Sequence, residues 1–252
     1  MSPWLAGYLD RTRQPWACIL FVVPLLIAYE IGLYAISPTP DDVRTGADAW
    51  LRHAFARGGV SLTFAAPLVI VFGLGLWGWF APPRPVVDPL GVWVGMVSES
   101  ALFASLLFGL VQLAFPLLAY GGGMLQGSLD RFLDVSPGQP TEATWGVILR
   151  YIGAGIYEET IFRLVGFSLL RLVFLAGDLR PNWADGLAAV ISSLLFAAAH
   201  HLGSGQDHIN VTVFLYRTLA GLYFAGVFRA RGFGIAVGAH AGFDVLVGLV
   251  LK

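Results

Sequence analysis

The chain has 252 residues, of which 57% are hydrophobic and 12% are charged. A soluble domain carries about twice that share of charged residues, so this composition excludes an ordinary soluble globular protein and indicates a polytopic helical membrane protein. The formal net charge of −1 excludes a nucleic-acid-binding protein that works through a basic surface. A single cysteine, Cys18, excludes a disulfide framework and a thiolate metal cluster.

Apolar runs long enough to cross a bilayer recur along the chain. A spanning helix needs about 20 mostly apolar residues, because the hydrocarbon core is about 30 Å thick. The runs, in chain order, are 16–36, 60–80, 90–120, 141–176, 186–200, 211–228 and 232–251. The run 141–176 is too long for one crossing, and we expect a break at Gly166. The sequence therefore predicts an all-α transmembrane bundle of about seven to eight helices.

The polar stretches between the runs are short, and we expect them to be loops: 37–58, 121–141, 177–185 and 201–210. The apolar runs lack the period-2 alternation that membrane-spanning strands would show. We therefore predict a single integral membrane domain over residues 1–252, without a soluble appendage.

Several ionisable residues lie inside the apolar runs or at their ends: Glu30, Glu99, Glu158, Glu159, Arg163, Arg217 and Asp244. A charge at the centre of a bilayer costs roughly 2.5 to 3.5 kcal/mol on translocon scales. We therefore expect each of these residues to pair with another, to face water or to take part in chemistry.

The first informative group is Glu158-Glu159-x-x-x-Arg163. On a helix, Glu159 and Arg163 are i and i+4, so their side chains meet on one face and form a supporting ion pair. Glu158 is rotated by about 100° from Glu159 and lacks that partner, which makes it the candidate base. The alternative interpretation is that both glutamates belong to one salt-bridge network that holds helices together.

Two histidines complete the set of candidates. His200 ends an apolar run and precedes a polar segment, so we expect it where a helix meets a water-accessible cavity. His240 and Asp244 are i and i+4, and small neighbours let another helix approach them closely. Each could instead be a structural residue, His200 through a hydrogen bond and the His240–Asp244 pair as a clasp between helices. Together they supply a base, groups that position water, and donors for a developing oxyanion.

These residues resemble, in their order and spacing, the motifs of the CPBP (Abi) intramembrane protease family. That family contains the CAAX prenyl endopeptidases and bacteriocin-processing or immunity proteins. The resemblance covers about 141–252, and the first three helices contribute only hydrophobicity to it. The motifs that carry it are Glu158-Glu159-x-x-x-Arg163, Phe196-x-x-x-His200 and His240-x-x-x-Asp244.

The resemblance implies a catalytic chamber inside the membrane, with Glu158 acting as base on a water that His200 helps to hold. It implies that His240 and Asp244 act on the scissile carbonyl oxygen. Many relatives have asparagine where this chain has Asp244. A carboxylate donates no hydrogen bond unless it is protonated, so we expect Asp244 to orient His240 instead.

Metal dependence is the open point of this assignment. Glu158, His200 and His240 could supply a zinc site of two histidines and one carboxylate. The sequence has no His-Glu-x-x-His run, which is the usual signal of a helical zinc protease. We favour a glutamate mechanism without metal, and we expect no other cofactor.

The predicted function is that of an intramembrane endopeptidase that hydrolyses a peptide bond of a membrane-associated protein or peptide. The expected surroundings are a lipid bilayer, and the composition favours the plasma membrane of a bacterium. One alternative is a transporter or channel-like bundle in which Glu30, Glu99, Arg217 and Asp244 line a path. The other is a catalytically silent family member that acts as an immunity or binding protein.

Overall fold

The computed structural model describes residues 3–37, 44, 46–59, 64–81, 88–119, 144–201 and 211–250. This part of the chain is almost entirely helical and contains no strand, which confirms the predicted all-α class. Its helices are α1 (Pro3–Arg11), α2 (Pro15–Ile36), α3 (Gly46–Arg57), α4 (Ala65–Phe80), α5 (Pro89–Ala119), α6 (Thr144–Glu159), α7 (Ser168–Ala176), α8 (Pro181–Ala199), α9 (Val211–Arg231) and α10 (Phe233–Val250). A π-helical segment, Thr160–Phe167, joins α6 to α7.

The helices form a membrane bundle. Helices α2, α5, α8 and α9 are long and apolar enough to cross a bilayer, while α4 and α10 are apolar but shorter. Large apolar side chains cover the outside of the bundle, as Trp79 shows with 81% of its surface exposed. Such a surface is suited to lipid and not to water. The number of crossings, about seven to eight, stays a prediction.

Three expectations about the elements are wrong. The predicted loop 177–185 is too long, because helix α8 already begins at Pro181. The stretch 37–58 contains helix α3, which is polar and is held by an i,i+4 pair between Asp48 and Arg52, so a search for apolar runs misses it. The chain does not break at Gly166, because the π-helical segment carries the helical path through that residue. The predicted loops 121–141 and 201–210 lie outside the described residues, except for His201.

Helix α10 lies in the middle of the bundle and contacts α2, α5, α6 and α9. It packs closely on α6 at Gly155, where an added Cβ would lie 2.8 Å from the carbonyl oxygen of Val237. Only glycine allows this approach of the two backbones. One turn further along α6 is Glu159, and the next turn of α10 carries His240. The close contact at Gly155 thus brings these two side chains together.

A buried cluster of charges ties α2 and α3 to α6. The Glu30 network, as we name it, has Glu30 and Asp48 as acceptors and the donors Arg44, Arg52, Tyr29 and Tyr157. Arg52 Nη2 lies 2.8 Å from Glu30 Oε1, and the Tyr157 hydroxyl donates to the same oxygen at 2.8 Å. Because Tyr157 directly precedes Glu158, the network anchors α6 beside the candidate base.

A second cluster of hydrogen bonds surrounds Glu99. Glu30 and Glu99 are the two glutamates of helices α1 to α5. The Glu99 carboxylate accepts hydrogen bonds from Tyr8 of α1, at 2.7 Å, and from Arg231 at the end of α9. Arg231 also donates to the Thr12 hydroxyl at 2.8 Å. Glu99 therefore joins α5 to α1 and α9, and it is paired as expected for a charge in an apolar run.

The Glu30 network predicts a large effect of Glu30→Ala on stability. The substitution leaves Arg44, whose side chain is 1% exposed, and Arg52 with one carboxylate fewer. We expect the free energy of unfolding to fall by about 3 to 5 kcal/mol, as for other broken buried ion pairs. The measurement is reversible unfolding in detergent micelles.

The matched control is Asp185→Ala. Asp185 also pairs with two arginines, Arg171 and Arg229, but their side chains are 35% and 53% exposed. We expect this variant to cost less than about 1 kcal/mol. Equal losses in the two variants would contradict a special role for the Glu30 network.

Candidate active site

Glu158 and the two candidate histidines lie together in the bundle. Glu158 Oε2 is 3.6 Å from His200 Nε2 and 3.8 Å from His240 Nε2. The three residues come from the end of α6, the end of α8 and the middle of α10. Glu158 Oε2 is buried and has no hydrogen-bond partner among the described residues. The three side chains therefore converge on one point at distances longer than a direct hydrogen bond.

A hydrogen bond at Nδ1 assigns the tautomer of His200. His200 Nδ1 lies 2.8 Å from the carbonyl oxygen of Phe196, one turn earlier on α8. A carbonyl oxygen only accepts, so Nδ1 carries the hydrogen and Nε2 of the neutral ring is an acceptor. That acceptor faces the Glu158 carboxylate, which is also an acceptor when ionised. A water molecule has two hydrogens and can donate to both groups.

His240 is oriented by Glu159. Its Nδ1 lies 2.8 Å from Glu159 Oε1, and since a carboxylate accepts, Nδ1–H is the donor. Nε2 then points towards Glu158 and lies 3.5 Å from Asp244 Oδ2. Glu159 thus supplies an orienting hydrogen bond at Nδ1 that the sequence did not predict. Asp244 lies on the Nε2 side of the ring, and its expected role in orienting His240 stays a prediction.

Glu159 also holds Arg163. Arg163 Nη1 lies 3.2 Å from Glu159 Oε1, and both side chains are 0% exposed. The π-helical segment that contains Arg163 begins directly after Glu159, and segments of this kind are frequent at functional sites. The shared Oε1 atom therefore joins Arg163 and His240 through one buried carboxylate.

Two helices of the C-terminal half enclose the Arg163 guanidinium. Its Cζ lies 4.4 Å from the ring centre of Phe196 on α8. Its Nη2 donates to the carbonyl oxygen of Gly221 on α9 at 3.1 Å. An added Cβ at Gly221 would lie 3.0 Å from Ser193 Cβ, so glycine lets α9 approach α8 here. The cation is thus held by a carboxylate, a carbonyl and an aromatic face.

Arg217 belongs to the same region. It lies on the face of α9 that carries Gly221, because the two residues are i and i+4. Its positive charge acts on Glu158, His200 and Asp244. The sequence singles Arg217 out only as a charge in an apolar run, and the structure adds it to the surroundings of the site.

The residues that sequence reasoning missed are Tyr157 and Phe224. Tyr157 connects the Glu30 network to α6, and Phe224 of α9 stacks on the ring of His240 with centres 4.5 Å apart. Both are aromatic residues in apolar runs, where packing is the ordinary role of such residues. No sequence signal distinguishes them from the rest of the core.

The site contains oxygen and nitrogen atoms of the types that bind zinc in proteins. Glu158, His200 and His240 each direct an oxygen or nitrogen atom inward, and both histidines donate their other N–H, as metal-bound histidines do. However, within the described ranges no group of three or more histidine, cysteine, aspartate or glutamate side chains is placed to hold a metal ion. The glutamate mechanism without metal stays a prediction.

The comparison with known families found a match in the C-terminal part of the chain. Residues 140–246 match the family described as type II CAAX prenyl endopeptidase Rce1-like. The match covers less than half of the chain, and it shows a similarity of this segment to that family. The matched segment runs from just before α6 almost to the end of α10 and contains all the candidate site residues. The match confirms the resemblance that the three motifs predict. Neither the curated proteins nor the solved structures give a match to this chain.

The geometry of the site predicts that substitutions of its two adjacent glutamates differ in their cost to stability. Glu159→Gln removes the charge that pairs with fully buried Arg163, so we expect the free energy of unfolding to fall by about 3 to 5 kcal/mol. Glu158→Gln removes a carboxylate oxygen that has no hydrogen-bond partner in the described part of the chain. We expect this substitution to leave the free energy of unfolding unchanged or to raise it slightly, because a buried carboxylate without a hydrogen-bond partner costs more free energy than a neutral amide.

The measurement is unfolding of the two variants side by side in the same detergent. The two substitutions are chemically identical and adjacent in sequence, so each is the control for the other. A larger loss from Glu158→Gln than from Glu159→Gln would contradict the assigned division of roles.

Proposed function

We propose that the protein is an intramembrane endopeptidase in which Glu158 is the general base for a water molecule. The observation that carries this proposal is the buried Glu158 Oε2, which faces two histidine Nε2 atoms at 3.6 Å and 3.8 Å. Those separations exceed a direct hydrogen bond but fit groups that share a water. The match to an endopeptidase family adds support to the choice of reaction.

The proposed first step is proton transfer from water to Glu158. The water donates one hydrogen to Glu158 Oε2 and the other to His200 Nε2, the acceptor assigned by the Phe196 hydrogen bond. As Glu158 takes its proton, the oxygen attacks the scissile carbonyl carbon and a tetrahedral oxyanion forms. General base catalysis of this kind contributes about 100-fold to 10,000-fold to a rate.

His240 is the proposed donor to that oxyanion. Glu159 fixes Nδ1, so a protonated His240 presents its Nε2–H towards the space that it shares with Glu158. The negative charge of Asp244, 3.5 Å from Nε2, attracts the protonated ring. In the second step Glu158 returns its proton to the leaving amine, the C–N bond breaks and the carboxylic acid product forms. The base is thereby regenerated.

The proposed substrate is a membrane-associated protein or peptide, and the proposed location is the plasma membrane of a bacterium. The site lies among helices that bear lipid-facing apolar surfaces, so a substrate has to enter from the bilayer or its surface. Because the matched family is named for prenyl endopeptidases, prenylated C-terminal peptides are the first substrates to test.

The structure offers little support for the two alternatives. The transporter interpretation places Glu30, Glu99, Arg217 and Asp244 along a path. Of these, Glu30 and Glu99 form hydrogen-bonded ion pairs in separate clusters. The silent-member interpretation depends on a broken motif, and the sequence retains every motif residue. Hydrolysis is the function that uses the convergence of Glu158, His200 and His240.

The proposal predicts that Glu158→Gln and His200→Asn each lower cleavage at least about 100-fold while the protein still folds. The measurement is hydrolysis of a fluorogenic prenylated peptide by the full chain in proteoliposomes, with melting temperature as the test of folding. The matched control is Asp178→Asn, a carboxylate-to-amide change at a turn residue with φ of 60°. Asparagine tolerates that backbone conformation, so we expect full activity from the control.

Full activity of either site variant would contradict the proposal. A second arm treats the wild-type protein with a zinc chelator, and the proposal predicts an unchanged rate. Activity that is lost with the chelator and restored by Zn²⁺ would instead assign Glu158, His200 and His240 to a zinc site.

A further inference from the structure

The flattest ring contact on His240 comes from Phe224. The two rings have centres 4.5 Å apart and planes 13° apart, so they are stacked face to face. Phe196 meets the same imidazole with its planes 69° apart and centres at 5.7 Å. Phe224 is 1% exposed and is the ring that lies parallel to the imidazole.

His240 needs a restraint on the plane of its ring. The bond from Cβ to the ring of a histidine joins an sp³ atom to an sp² atom, and rotation about it is broad. The hydrogen bond to Glu159 fixes Nδ1, but it leaves the ring free to tilt about that contact. A tilt would carry Nε2 away from Glu158, which lies 3.8 Å from it. A parallel aromatic face opposes this motion, because tilting would bring the two rings into collision.

Phe224 is itself held in place by the core. It belongs to a buried cluster between α5, α9 and α10, which also contains Leu107, Ala220 and Phe243. Phe243 touches the Phe224 ring edge to face, with centres 6.2 Å apart. The stacking partner of His240 thus has little freedom to move, since interiors are densely packed.

We propose that Phe224 is a positioning residue for the hydrolysis, with its ring fixing the plane of His240 and so the direction of Nε2. This inference rests on the proposed function. Phe224 acts through His240 and contacts no reacting atom. Two contacts therefore orient His240. The Glu159 carboxylate fixes Nδ1, and the Phe224 ring fixes the plane of the imidazole.

The test is the variant Phe224→Leu, which keeps an apolar side chain but removes the flat face. We expect kcat to fall about tenfold to 100-fold, because small misplacements of a catalytic group have effects of that size. We expect KM to change by less than about twofold, since the loss falls on the transition state. The conservative variant Phe224→Tyr keeps the face, so we expect it to restore most of kcat.

The matched control is Phe167→Leu. Phe167 is also a buried phenylalanine, 3% exposed, but it belongs to a different cluster and packs edge to face on Phe228, with ring centres 5.5 Å apart. We expect it to lower the melting temperature about as much as Phe224→Leu while kcat stays within about threefold of wild type, because its effect is on packing alone. If Phe224→Leu does not fold, Phe224→Met takes its place, since methionine fills a similar volume without a ring.

The outcomes separate this inference from the proposed function. Equal losses of kcat in the leucine variants at 224 and 167, or no recovery in Phe224→Tyr, would overturn the positioning role while leaving the hydrolase intact. A wild-type protein that cleaves no membrane peptide would overturn the proposed function and this inference with it.

Discussion

The structure of the site depends on one buried carboxylate, that of Glu159. Its Oε1 atom lies 3.2 Å from the Arg163 guanidinium and 2.8 Å from His240 Nδ1, and neither Glu159 nor Arg163 is exposed at all. A buried charge is tolerated only when it is paired and hydrogen-bonded. Pairing therefore dictates where α6, α9 and α10 meet. The glycines at 155 and 221 then let the backbones come close enough for these contacts.

The neighbouring carboxylate has different surroundings. Both glutamates have a buried Oε2 without a hydrogen-bond partner in the described part of the chain, but Glu159 contacts Arg163 and His240 through its Oε1. His200 and His240 stand beyond hydrogen-bond distance from Glu158 Oε2. Functional groups are often kept in such unfavourable surroundings because the rest of the fold supplies the stability. In this protein the stabilising contacts beside Glu158 are those of Glu159 on one side and those of the Glu30 network, through Tyr157, on the other.

The sequence predicts the membrane helices and the residues of the site from hydropathy and helical spacing. It also predicts that Glu158 and Glu159 differ, because only Glu159 stands one turn from Arg163. It does not predict the bond between Glu159 and His240, since these residues are 81 positions apart and spacing on one helix says nothing about another. Helix α3 and Phe224 stay hidden for a related reason. Helix α3 is held by ion pairs, and Phe224 is distinguished only by its packing on His240. Neither feature can be recognised from apolar runs in the sequence.

The most direct test of the account is a double-mutant cycle on peptide cleavage with Glu158→Gln, His200→Asn and the combination of the two. If both groups hold one water molecule, removal of either disables the same step, so the double variant is expected to be about as slow as the slower single variant. Losses that multiply, as for independent sites, would show that Glu158 and His200 do not share a task and would contradict the central claim.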